Sequence, residues 1–137
     1  MLTLDALQAL NLATPYHVWL GCELVSVDPV TELVVMRQAW RPEFSRSAEV
    51  GQAAWHGGVL ASLIDIAGDY AVALHLERGV PTIDLRVDYL RMARGASILA
   101  EARAVKVGRR VALADVMLRE EETGREIAAG RGVYSCS

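Results

Sequence analysis

Between Thr82 and Arg91 the chain alternates: Ile83, Leu85, Val87 and Tyr89 interleave with Asp84, Arg86 and Asp88. A period of two puts apolar side chains on one face of a strand and charges on the other, so this stretch predicts a half-buried β-strand. Three more strand-like runs follow, SILAEARAVKV (97–107), RRVALADVMLR (109–119) and REIAAGRGVYS (125–135). The segments ARGA, GRR near Gly108 and EETG before Arg125 supply turn residues between them, which predicts an antiparallel meander. In RVALADVMLR, Val111, Leu113 and Met117 line one face and Ala112, Ala114, Val116 and Leu118 the other. A strand apolar on both faces is covered on both, which predicts an oligomer.

Upstream the period changes. WHGGVLASLIDIAGDY opens a run that stays helical from Val59 to Leu76 and is apolar around most of its circumference. Such a helix suits enclosure by a curved sheet. The lengths match, since ~20 helical residues and ~10 strand residues each span roughly 30 Å. The N-terminal segment predicts a short amphipathic helix, with Leu4, Leu7, Gln8 and Leu10 to Leu12 near one face and Pro15 ending it. VWLGCELVSVDPVTELVVMR predicts two strands about an Asp28-Pro29 turn, and QAWRPEFSRSAEVGQAA a covering loop.

Composition narrows the function classes. The chain has 137 residues, enough for one domain over 1–137, with 53% hydrophobic and 23% charged residues. A net charge of −3 supplies no basic field for nucleic acid. Two aspartates and a histidine inside the long helix argue against a membrane span, and the N-terminus lacks the cationic start of a secretory signal, so a cytoplasmic protein is expected. Cys22 and Cys136 fit no metal spacing; a reduced compartment is the simpler expectation, with a disulfide between them left open. His17 and His75 lack neighbours at ligand spacing, so no metal is expected.

The chemistry concentrates at the start of the long helix. Gly57 and Gly58 stand where backbone N–H groups lack helical acceptors and a partial positive charge accumulates, a plausible cradle for a carbonyl oxygen or oxyanion. The same glycines also suit close helix packing. Asp65, seven residues past Gly58, lies near the same face but ~10 Å along the helix. One carbonyl group cannot touch both within a chain, because a base must come within about 3 Å of the group it activates. In a two-fold dimer the glycine end of one helix can face Asp65 of the other. Asp65 is otherwise an ordinary helix aspartate reaching solvent or an arginine. Asp69 reads as structural, paired with Arg86 or Arg91.

WHGGVLASLIDIAGDYA, PTIDLRVDYLR and GRRVALADVMLREEETGREIAAGRG together resemble the PaaI-like acyl-CoA thioesterases, over roughly Ala53 to the C-terminus. The resemblance implies an α+β hotdog fold: a long central helix wrapped by a curved antiparallel β-sheet. It further implies dimers that often pair into tetramers, and metal-free and cofactor-free hydrolysis of an acyl-CoA to the free acid and coenzyme A. Carried over, Asp65 is the base or nucleophile, and the Gly58 or Gly57 N–H polarises the thioester carbonyl. His56 orients the loop or contacts the thioester side, and Thr82 lies near a hydroxyl residue that assists the water. Arg91, Arg94 and Arg109 stand at strand ends and turns where the anionic coenzyme A tail could meet them, and Trp55 is a candidate for the acyl pocket, though each also fits ordinary surface or core roles. Three departures stand out: Val50 replaces an asparagine, with Glu49 or Gln52 as substitutes; Met92 replaces a proline; and Asp69 is additional. A non-catalytic acyl-CoA-binding or ligand-sensing hotdog protein is the alternative reading, and a hotdog dehydratase ranks last.

Overall fold

The structure is a computed structural model and describes residues 1–48 and 54–137. Helices α1 (Leu4–Ala13) and α2 (Pro15–Leu20) lead into strands β1 (Glu23–Asp28) and β2 (Leu33–Ala39). A single 3-10 turn (Pro42–Phe44) precedes the long helix α3 (Gly57–Leu76), which is followed by β3 (Thr82–Tyr89), β4 (Ser97–Val107), β5 (Val111–Glu120) and β6 (Glu126–Ser135). All six strands form one antiparallel sheet in the order β1-β2-β4-β5-β6-β3.

The sheet wraps α3 as the apolar pattern predicts. Leu60, Leu63, Ile64, Ala67, Ala71 and Leu74 of the helix are buried with Ile98, Ala100, Ala112, Ala114, Leu118 and Ala128 of the sheet. Small residues on the inner faces of β4, β5 and β6 let a helix approach the sheet closely without leaving voids.

Three expectations are corrected and one, at Pro15, is extended. Pro15 ends α1 but also opens α2, because proline presets φ and lacks an N–H that the first helical turn would leave unpaired anyway. Val18 to Leu20 are therefore helical, not the start of a strand; Gly21, at φ 78°, ends α2 and the strand begins at Glu23. The meander holds only for β4-β5-β6, since β3 crosses the sheet to pair with β6 on the far edge. Being an edge strand, β3 is mostly exposed in the single chain, with Ile83 and Tyr89 more than half exposed and only Leu85 and Val87 partly buried. The cysteines are both free thiols, and burial pushes the Cys22 thiol up to about 11. The predicted turn at Asp28 is present, with its carboxylate accepting the Val30 and Thr31 N–H groups.

The two sides of β5 differ. Ala112, Ala114, Val116 and Leu118 face α3 and are buried, whereas Val111 is exposed and Leu113 and Met117 are partly buried on the outer face. That outer face carries a charge lattice instead of an apolar cover: Arg131 forks onto Asp115 at 2.6 and 2.9 Å, and Arg119 reaches Glu101 at 2.5 Å and Glu126 at 3.1 Å.

Candidate active site

Asp65 sits midway along α3, partly exposed. Thr82, the first residue of β3, donates its hydroxyl to Asp65 Oδ1 at 2.6 Å, a length typical of a hydroxyl on an ionised carboxylate. Behind this pair, the buried Tyr134 hydroxyl donates to the Asp65 backbone carbonyl at 2.9 Å. That bond costs Asp65 nothing as a helical acceptor, since a carbonyl has two lone pairs. Burial, reinforced by the charges of Asp65 and Asp69, pushes the Tyr134 phenol far up, so it stays a donor. A Cβ at Gly68 or Gly132 would run into the Tyr134 ring and hydroxyl, so the two glycines make its berth. Tyr134 escaped the sequence reading; glycine two residues before an aromatic residue in a strand was the available signal, because glycine inside a strand marks a close approach.

One turn further along α3, Asp69 accepts the Val80 backbone N–H at 2.9 Å. The expected pairing with Arg86 or Arg91 is absent. Arg86 reaches Asp88 at 3.3 Å and Arg91 donates to the Glu126 carbonyl at 2.8 Å, because both lie on or beyond β3 while Asp69 faces the connection before it. Burial, opposed by the Val80 N–H and assisted by Asp65, raises the Asp69 carboxyl to about 6.

The helix N-terminus forms a second cluster. His56 is the N-cap residue, and its Nδ1 accepts the Gly58 N–H at 2.8 Å, so the neutral ring carries its proton on Nε2. With Gly58 engaged, the Gly57 N–H has no acceptor among the described residues. Tyr89, at the far end of β3, donates its hydroxyl to the Gly57 carbonyl at 2.8 Å, and its ring would lie 3.2 Å from a Cβ at position 57. A side chain there would press on the Tyr89 ring, so glycine suits this close contact.

Beside this cluster lies a cleft of about 390 Å³ lined by Trp55, Leu60, Tyr89, Met92, Arg91 and Arg46, among others. Trp55 is only 2% exposed; its ring packs on Trp40 and Phe44 and its Nε1 donates to the Gly95 carbonyl, so it is mainly a core residue that forms the cleft floor. The predicted arginines do not converge in one chain. Arg91 borders the cleft, Arg94 lies in the connection to β4 with its backbone N–H on Glu120, and Arg109 lies in the β4–β5 hairpin at the opposite end of the sheet. Val50, Glu49 and Gln52 lie outside the described residues.

A buried polar chain locks α1 and α2 onto α3. His17 Nδ1 donates to the Tyr70 hydroxyl at 2.9 Å, Tyr70 donates to Asn11 Oδ1 at 3.1 Å, and Asn11 donates from Nδ2 to the Cys22 carbonyl at 2.7 Å. Burial lowers the His17 pKa, partly offset by the charge of Asp65.

Known proteins share this fold. Residues 52–127 match the family model of the thioesterase superfamily. The chain belongs to the thioesterase superfamily. Its helix enclosed by a curved antiparallel sheet is the hotdog arrangement. The medium/long-chain acyl-CoA thioesterase YigI of Escherichia coli K12 is 40% identical over 86 residues, 52% of this chain and 56% of that protein. Acyl-coenzyme A thioesterase 13 of Mus musculus is 37% identical over 79 residues, 56% of each chain. The chain thus aligns with little more than half the length of these curated relatives. Among solved structures, zebra fish thioesterase superfamily member 2 superposes with a TM-score of 0.82 at 27% identity, covering 100% of both chains.

Proposed function

We propose that this superfamily member hydrolyses acyl-CoA thioesters at a site shared between two copies of the chain. The observation that carries the reading is the Asp65 carboxylate, on an otherwise apolar helix, held by Thr82 at 2.6 Å and open on its other oxygen. With Oδ1 occupied, Oδ2 accepts the proton of a water whose oxygen adds to the thioester carbonyl carbon. The carbonyl oxygen becomes an oxyanion stabilised by the Gly57 N–H and the positive end of a helix. Collapse breaks the carbon–sulfur bond and the coenzyme A thiolate takes up the proton, leaving the free acid.

The second copy is required by distance, since Asp65 stands ~10 Å along its own helix from Gly58. Two contacts support how the copies meet. Within one chain Tyr89 ties the end of β3 to Gly57, and Thr82 ties its start to Asp65. Pairing the free edge of β3 with an antiparallel copy therefore lays the Gly57 end of one chain beside Asp65 of the other. It also covers Ile83 and supplies hydrogen-bond partners for an edge otherwise prone to unspecific pairing. In that arrangement Arg109 of one copy and Arg91 of the other fall at the same end of the sheet, within a region suited to the anionic coenzyme A tail. The name of the Escherichia coli relative and the largely apolar cleft beside Gly57 favour a medium or long acyl chain.

The test is free-thiol release from a panel of aromatic, short, medium and long acyl-CoA substrates, comparing the protein with Asp65→Asn. Turnover that falls ~10²-fold or more in the variant supports the reading. If neither protein hydrolyses any substrate while both bind coenzyme A esters, the chain is a binding protein and Asp65 is structural.

A further inference from the structure

Asp65 and Asp69 are one turn apart on α3, so their side chains are neighbours on one stripe of the helix. Asp65 accepts the Thr82 hydroxyl and Asp69 accepts the Val80 N–H, two residues earlier in the same strand-entering segment. The spacings match: four helical residues rise ~6 Å and two extended residues ~6.6 Å. The two carboxylates therefore grip alternate residues of one antiparallel stretch. The grip falls beside an irregularity in the sheet: the β3–β6 register shifts between Thr82 and Asp84, and Thr82 pairs with Tyr134 beyond the shift. The flanks of the connection are held separately, by the Glu77 N–H on the Ala73 carbonyl and the Ser135 N–H on the Pro81 carbonyl. Asp69 is the acceptor that holds its middle.

We propose that Asp69 is a positioning residue for the Asp65–Thr82 pair: it fixes Thr82 through Val80, and its charge state is felt at that pair. The proposal rests on the reading of Asp65 as the base. The groups facing Asp69 are few. Asp65 and Tyr70 come from its own helix, and Tyr134 from β6 senses its charge. The connection contributes the Val80 N–H and Gly79, where a Cβ would stand 3.6 Å from Asp69 Oδ2. The Arg78 guanidinium is turned away onto the Cys136 carbonyl at 2.6 Å. No cation among the described residues forms an ion pair with Asp69. A carboxyl with a raised proton affinity, about 6, and no cation beside it changes charge in the range where enzymes work. Protonation removes the charge assistance from the Val80 bond and the like charge beside Asp65.

The experiment combines kinetics with NMR titration. Asp69→Ala removes the acceptor and is expected to lower kcat about 10-fold or more with KM little changed, as displacement of a catalytic group does. Asp69→Asn keeps an acceptor oxygen, so it is expected to recover most of that loss at pH 8 but to lack the ionisation near 6 expected in the parent kcat profile. In the unmutated protein, the Val80 amide proton and the Thr82 methyl shift are expected to titrate together with that midpoint, and in Asp69→Asn neither is. An unchanged kcat in Asp69→Ala, an identical pH profile in Asp69→Asn, or a Thr82 methyl that ignores the titration overturns the proposal. The NMR arm needs no substrate, so it judges the coupling even if Asp65→Asn shows the thioesterase reading to be wrong.

Discussion

The Thr82 hydroxyl donates to Asp65 Oδ1 at 2.6 Å, joining the first residue of an edge strand to the middle of the central helix. It occupies Oδ1 and leaves Oδ2 as the oxygen that the proposed mechanism uses. Thr82→Ser keeps the donor and is expected to stay within a few-fold of the parent kcat. Thr82→Val removes it at nearly constant shape and is expected to cost ~10-fold or more in kcat with KM little affected, the pattern of an interaction made in the transition state. Steady-state kinetics on the best substrate of the panel decides between them.

A shared site makes a quantitative prediction about mixtures. Asp65→Asn disables one half of each site and Gly57→Val, whose side chain would crowd Tyr89, disables the other. Neither variant is active alone. Unfolded together in equal amounts and refolded, half of the dimers are mixed and each contains one intact pair, so about a quarter of parent activity returns. No recovery in the mixture would place both halves of the site in one chain.

The Tyr134 berth separates two glycines that look alike in sequence. At Gly68 a Cβ meets chiefly the hydroxyl oxygen, with the nearest ring carbon at 3.1 Å. At Gly132 it meets ring carbons as well as the hydroxyl. Both alanine variants are expected to lose on the order of 2–3 kcal/mol by overpacking. Adding Tyr134→Phe restores more of the loss for Gly68→Ala than for Gly132→Ala, where ring carbons still clash, as read by denaturant midpoints at constant m.

Asp69 is expected to leave a mark on stability. Its carboxyl is raised from 3.8 to about 6 in the fold, with burial the main cause, so between those values the folded chain binds more protons than the unfolded one. Its stabilising contribution is complete below about pH 3.8 and is lost as the pH rises through about 6. Asp69→Asn is therefore expected to be more stable than the parent at pH 7.5, by on the order of 1–2 kcal/mol after allowance for partial solvation, and nearly equal to it at pH 4. Thermal melts across that range test it, and a parent that gains stability between pH 4 and 7 relative to the variant contradicts it. Tension between this stability cost and a positioning role is common at functional sites.

Much of this was legible in the sequence. The alternation in Thr82 to Arg91 and the unbroken apolar circumference from Val59 to Leu76 determined a strand and an enclosed helix, because those periods are properties of the chain itself. HGG followed by Asp65 marked the two ends of the proposed site, and the resemblance placed Thr82 near a hydroxyl residue that assists the water; its contact with Asp65 came only from the fold. What the sequence could not decide was anything that depends on which strand lies next to which. The crossing of β3 to the far edge is a choice of topology, invisible to local periodicity, and it sets Tyr89 against Gly57 and Thr82 against Asp65. Pro15 reads as a stop or a start equally well until the neighbouring helix packs. The partners of Asp69 and Tyr134 lie 11 and 69 residues away in the chain. Only folding brings such groups within the ~3 Å over which hydrogen bonds act.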